Sequence, residues 1–185
     1  MRIFLVGVSC VGKTTIGLNL AKQLECNFFD FDEEVEKFFG MPITHLQERF
    51  ENMESFREEA SKALLHVLAC EESINSVIAL PPSGLMNFYW KVIINSAGTI
   101  IVLKDEAFNI LKRTVFFDKD SNLITRVLSK KEQKYYLSEI KKDIIYYNHS
   151  YERANISVSI EGLNVKHAAI KIQEQLQVYS KYKVC

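Results

Sequence analysis

At 185 residues, with 48% hydrophobic and 25% charged side chains, the chain has the makeup of one globular domain over 1–185, large enough to bury a core without metal or disulfide staples. Basic and acidic residues number 23 each, so the formal net charge is zero, and nothing supplies the basic excess of a nucleic-acid binder. Cys10, Cys26, Cys70 and Cys185 form no CxxC pair and no metal-ligand spacing with the histidines, and no apolar run approaches the roughly 20 residues of a membrane span; a soluble, cytoplasmic protein with reduced thiols is the expectation.

In chain order, residues 3–6 are an apolar run too short for a signal sequence, leading straight into a glycine loop, which predicts a buried strand. A helix is predicted over 13–24 and a short strand within 26–31. Helices rich in Glu, Lys, Leu and Ala follow over 33–39 and about 54–70. Residues 76–80 form a third apolar strand, stopped by Pro81-Pro82. Next come a short helix over 87–95, a fully apolar strand over 99–103 and a helix over 106–113. Residues 116–130 are polar, charged and without clear period; a helix over 133–146, a strand over 156–160 and a helix over 165–179 close the chain. No repeat or Pro/Gly-rich linker divides it. Continuously apolar strands separated by helices predict a parallel sheet covered on both faces, a three-layer α/β/α sandwich.

Gly7-Val8-Ser9-Cys10-Val11-Gly12-Lys13-Thr14 matches GxxxxGK[ST] at every fixed position, between a predicted strand and a predicted helix. Gly7 and Gly12 permit positive φ, so the backbone can curl and aim successive N–H groups at an anion. The helix N-terminus behind them favours phosphate. Lys13 would reach the β- and γ-phosphates and the Thr14 hydroxyl would ligate Mg²⁺. Gly7, Cys10, Val11, Gly12, Lys13, Thr14 and Thr15 are the expected contacts of bound ATP, and the fold class narrows to a P-loop NTPase of nucleoside-monophosphate-kinase-like form. Asp30-Phe31-Asp32 lies at the end of the second strand, where open α/β sheets bind ligands. One carboxylate there can hold Mg²⁺ and the other can take a proton from a substrate hydroxyl.

These features together resemble the shikimate kinase family. The stretch from Asp30-Phe31-Asp32 through Val35-Glu36 to Gly40 looks like its D-x-D-x-x-[IV]-E-x-x-x-G motif, and Phe56-Arg57 is similar to its F-R motif. Val77-Ile78-Ala79-Leu80 stands where the family's apolar strand leads into a glycine triplet. Leu111-Lys112-Arg113-Thr114 resembles the end of the helix before the ATP lid, here about 116–130, and Lys134-Tyr135 through Lys142 to Tyr146 is similar to the last lid-side helix. The resemblance implies an ATP-dependent phosphotransferase acting on a hydroxyl of a small, carboxylate-bearing metabolite. It implies Asp30 as the metal-assisting carboxylate and Asp32 as the substrate-binding group and base, with Lys13 the other catalytic residue. Arg57 would pair with the substrate carboxylate and Arg113 would lie along the adenine.

Departures cluster on the substrate side and the lid. Pro81-Pro82-Ser83-Gly84 replaces the glycine triplet; proline has no N–H to offer, leaving Gly84 as the expected substrate-facing glycine. The lid's R-P-L-L motif is missing, with Arg126, Lys119 and Lys130 as alternative sources of its charge. Lys142 stands where the resemblance places a second carboxylate-binding arginine, keeping charge without the bidentate fork. A same-fold kinase for a different hydroxyl compound and a non-catalytic nucleotide-binding protein are the competing readings. The tyrosines 135, 136, 146, 147 and 151 are read as helix-face packing, and the four histidines as core or surface residues. A small-molecule substrate, a nucleotide and a monomeric state complete the expectations, with no nucleic-acid or membrane partner.

Overall fold

A computed structural model describes residues 1–183; Cys185 lies outside the described residues, and Cys10, Cys26 and Cys70 are free thiols. Five strands, β1 (Arg2–Val6), β2 (Asn27–Asp30), β3 (Ser76–Ala79), β4 (Thr99–Lys104) and the late β7 (Ile156–Ser159), form one sheet in the order β2-β3-β1-β4-β7. Every neighbouring pair in it is parallel, with Ile3 opposite both Val77 and Thr99. β3 is buried at every position and β1 at all but its first, as expected of strands covered on both faces. The three-layer sandwich read from the sequence is therefore present, and all carboxyl strand ends face one edge of the sheet.

The first helix, α1 (Lys13–Gln23), packs on the last, α8 (Val165–Lys183). Between β2 and β3 lie α2 (Phe31–Phe39), α3 (Ile43–Gln47) and α4 (Met53–Ala69), followed by a 3-10 turn over Glu71–Ile74. α5 (Asn87–Ile93) packs on α4, and α6 (Ala107–Arg113) on the long α7 (Lys130–Tyr151). The core gathers Phe4, Leu5, Leu64, Ile78, Leu80 and Ile101, all essentially inaccessible to solvent.

Three features differ from the sequence expectation. The five-residue α3 falls between the predicted helices 33–39 and 54–70, where no element was bounded; a Glu36 carboxylate oxygen accepts from Ile43 N at 2.8 Å and so serves as its cap from outside. The lid contains a hairpin of β5 (Phe116–Phe117) and β6 (Leu123–Ile124), paired antiparallel. α7 starts earlier than 133, because Ser129 and Glu132 form a complete capping box there, and it runs on to Tyr151.

Candidate active site

The turn from β1 into α1 rests on three residues with positive φ: Gly7 at 146°, Cys10 at 58° and Gly12 at 109°. Gly7 has no room for a side chain, since a Cβ would lie 2.7 Å from the Leu103 carbonyl oxygen at the end of β4. Val11 is buried and anchors the loop to the core. Thr15 Oγ1 donates to the Gly12 carbonyl at 3.2 Å. No side chain caps α1, which leaves its first-turn amides open to an anion. Lys13 Nζ curls back to donate to the Gly7 and Val8 carbonyls at 2.9 and 3.0 Å. Burial lowers its pKa to about 8 despite the pull of Asp32, Cys10 and Asp30, so the ammonium still predominates at neutral pH.

The end of β2 supplies the carboxylates. Thr14 Oγ1 donates to Asp30 Oδ2 at 2.6 Å, joining the start of α1 to the end of β2. The other Asp30 oxygen accepts from Asp32 N at 3.1 Å and caps α2. That cap sets Asp32 in the first turn of α2, in the same charged group as Lys13 and Asp30. Solvent still reaches Asp32. Partial loss of hydration at its carboxyl, followed by the Asp30 charge, pushes it up to about 6 against the opposing pull of Lys13.

Arg57 belongs to the early part of α4, whose first turn is capped by Asn52 accepting from Glu54 N and Ser55 N at 3.0 and 2.9 Å. The arginine is half-buried, its Nε is sealed from solvent without a hydrogen-bond partner, and among the described residues it joins no ion pair. Two tyrosines feel its charge. Tyr89, buried edge-on against Phe31 with centroids 5.4 Å apart, is pushed up by burial and by Asp32, with Arg57 pulling the other way. Tyr147 on α7 is raised by burial, again with Arg57 opposing. Asp32, Arg57 and Tyr89 thus share one electrostatic neighbourhood, and the Arg57 charge also acts on Tyr147. Sequence reading missed both tyrosines; Tyr147 stood in a noted cluster, but helical spacing cannot distinguish packing from cleft lining.

The remaining expected site residues take varied places. Gly84 N closes a turn onto the Pro81 carbonyl at 2.8 Å, and a Cβ at Gly84 would stand 2.7 Å from Leu80 Cβ, so this glycine serves the turn itself. Tyr151 braces that turn by donating to the Pro82 carbonyl at 3.0 Å and stacks on Tyr147. Arg113 pairs with Asp105 just after β4. Burial raises the Asp105 carboxyl, but the hydrogen bonds from Asn109 and Arg113 outweigh it and hold it below the usual carboxylate range. Thr114, beside Arg113, lines a cavity of ≈ 160 Å³ over Ser9 and Cys10, with Tyr136, Glu139 and Asp143 of α7 on its far side. Lys142 is exposed and its Nζ binds Glu139 at 2.7 Å, one turn earlier in α7. Arg126 pairs with Glu132 and lies over the Phe116 ring, while Lys119 and Lys130 are exposed.

A phosphate loop, a capping aspartate hydrogen-bonded to its threonine and an arginine that joins no ion pair among the described residues invite comparison with known kinases. The shikimate kinase family profile matches residues 9–177. The chain belongs to the shikimate kinase family. A shikimate kinase of Nitrosospira multiformis is 28% identical over 182 residues, covering 97% of this chain and 87% of that protein. The enzyme of Francisella tularensis subsp. novicida is 33% identical over 113 residues, and the match spans 61% of this chain and 62% of the relative. Among solved structures, shikimate kinase from Bacteroides thetaiotaomicron superposes with a TM-score of 0.77 at 24% identity, covering 96% of this chain and 98% of that one. The Aquifex aeolicus shikimate kinase gives 0.71 at 27% identity, covering 96% of each chain. After β3 and Leu80 the chain carries two prolines, Pro81 and Pro82, and the turn's own hydrogen bond engages the Gly84 amide.

Proposed function

We propose that this chain transfers the γ-phosphoryl group of ATP to a hydroxyl of a small acceptor that carries a carboxylate, with shikimate the first acceptor to test. What supports this reading is the charged group of the Lys13 loop, Asp30 on Thr14 and Asp32, together with Arg57, whose charge acts on Tyr89 alongside that of Asp32 and which joins no ion pair among the described residues. Each supplies something phosphoryl transfer needs, chiefly positioning and charge.

Backbone amides of residues 7–15 and the uncapped start of α1 suit a polyphosphate. Lys13 offers a proton-bearing Nζ already turned toward the loop's centre. The donor set fits Mg²⁺, which favours a few oxygen ligands completed by phosphates and water: Thr14 Oγ1 and the Asp30 carboxylate would hold it. When bound, the ion neutralises charge on the transferring group. Asp32, with a carboxyl near 6, is ionised at neutral pH yet basic enough to accept the acceptor's hydroxyl proton. Arg57 presents a planar fork suited to a carboxylate, and its sealed Nε gains a partner if an anion docks there. Thr114, next to Arg113, lines the cavity over Ser9 and Cys10, which supports Arg113 as the residue along an adenine ring.

The rebuilt turn at Pro81–Gly84 favours, as a second reading, the same chemistry on a different hydroxyl compound. Incubation with Mg²⁺, ATP and a panel of hydroxy acids and polyols, following ADP release, separates the two. Release that depends on shikimate supports the first reading, release with another acceptor supports the second, and ATP binding without release for any acceptor contradicts both.

A further inference from the structure

The tip of the lid touches the acceptor side of the cleft at a carboxylate for which the chemistry above has no use. Glu36 lies one turn beyond Asp32 on α2 and is half-buried. A single one of its oxygens, Oε1, accepts from Ile43 N of α3 at 2.8 Å and from Ser121 Oγ at the hairpin tip at 2.5 Å. The second distance is that of a hydroxyl donating to an ionised carboxylate, about twice as strong as a bond between neutral partners. We propose that Glu36 is a positioning residue that docks the closed lid through the Ser121 hydroxyl, so that closure is registered on the helix bearing Asp32. This rests on the phosphoryl-transfer reading.

Local geometry shows that the tip is built to present that hydroxyl. Asp118 Oδ1 accepts from both Asp120 N and Asn122 N at 2.9 Å, and Asp118 Oδ2 accepts from Asn122 Nδ2 at 3.1 Å. These bonds fold residues 118–122 into a closed turn that holds Ser121 at a φ of 62°. A second tie lies alongside, where His45 Nε2 of α3 meets Asp120 Oδ1 at 3.1 Å. At the other end of the hairpin, Arg126 lies over Phe116 and pairs with Glu132 in the first turn of α7. The lid therefore runs from α7 to a latch on α2 and α3. One carboxylate oxygen gathers α2, the start of α3 and the lid, so the lid docks only where the acceptor-side helices stand in register. A closed lid keeps water from the transferring group. Loss of the latch thus lowers transfer to the acceptor and raises the share of ATP lost to hydrolysis.

Ser121→Ala removes the donor, and Ser121→Asn restores one in a residue type that tolerates positive φ. Limited trypsin digestion of the full chain, following cleavage after Lys119 and Arg126 by mass, reads the docking itself. With Ser121→Ala, loss of a charge-assisted bond predicts cleavage about tenfold faster than wild type and acceptor-dependent turnover about tenfold lower, with KM for ATP within about twofold. Ser121→Asn recovers both, and Glu36→Gln falls between wild type and Ser121→Ala. Cleavage and turnover of Ser121→Ala at wild-type rates overturn the proposal. A wild-type chain that releases no ADP with any acceptor overturns the phosphoryl-transfer reading instead, and the cleavage rates then still decide the latch.

Discussion

Lys13 holds a charge where the fold resists one. Burial draws its pKa from 10.5 to about 8, so between those values the native state binds fewer protons than the unfolded chain. The cost of keeping the ammonium is therefore fully present below pH 8 and fades as pH rises toward 10.5. Lys13→Met should abolish turnover while raising stability at pH 7 by on the order of 1–3 kcal/mol, an advantage that shrinks above pH 8 in denaturant melts. Asp32 has the opposite direction: its carboxyl near 6 makes kcat/KM of wild type fall as pH drops through that value, and Asp32→Asn should be inactive across the range. Arg57→Lys keeps the charge and loses the fork. Acceptor KM should rise roughly tenfold or more with KM for ATP unchanged, and an unaltered acceptor KM removes Arg57 from the site. Of these residues, Lys13 was read from the phosphate-loop spacing and Asp32 from its place at the end of the second strand, while Arg57 was reached only through the family resemblance. Tyr89 and Tyr147 were not legible, because their nearness to Arg57 arises from α5 and α7 packing and leaves no local pattern.

Helix starts carry much of the site's precision. Asp30 both accepts the Thr14 hydroxyl and caps α2, so the pair of bonds joins the phosphate loop to the helix that bears Asp32. Asn52 performs the second service for α4, and Arg57 follows it closely. Asn52→Ala should cost about 1 kcal/mol in chemical denaturation. Fraying of that first turn should also raise acceptor KM, and a stability loss without any change in KM would separate the cap from the site. The long helices and central strands were readable because their apolar spacing is sustained. The bounds of α3 were not: five residues after Pro42 show no period, and their outside partner is Glu36, seven residues upstream. The β5–β6 hairpin has two residues per strand, too few for alternation, and its turn depends on Asp118 side-chain bonds. Lys142 shows another limit, since residue type alone could not tell that its ammonium is taken up by Glu139 on an exposed face.

At the scale of the molecule, the sheet order places β1 between β3 and β4, so the phosphate loop emerges from the middle of the sheet. Leu5 lies there fully buried, and Leu5→Ala should cost 2–5 kcal/mol with little effect on KM values in the protein that remains folded. The fold was legible as a whole because three independent signals agreed: apolar strand runs, intervening helices and a phosphate loop at their first junction. What the sequence concealed lies where distant segments meet, at the Pro81–Gly84 turn braced by Tyr151 and at the lid tip on Glu36. The central claim concerns where the γ-phosphoryl group goes. Phosphorus NMR of the full chain with Mg²⁺, ATP and shikimate follows it directly. The account predicts a phosphomonoester resonance that grows as the γ-phosphate signal fades, and no such resonance with Lys13→Met; growth of inorganic phosphate alone, or equal spectra for the two proteins, would contradict it.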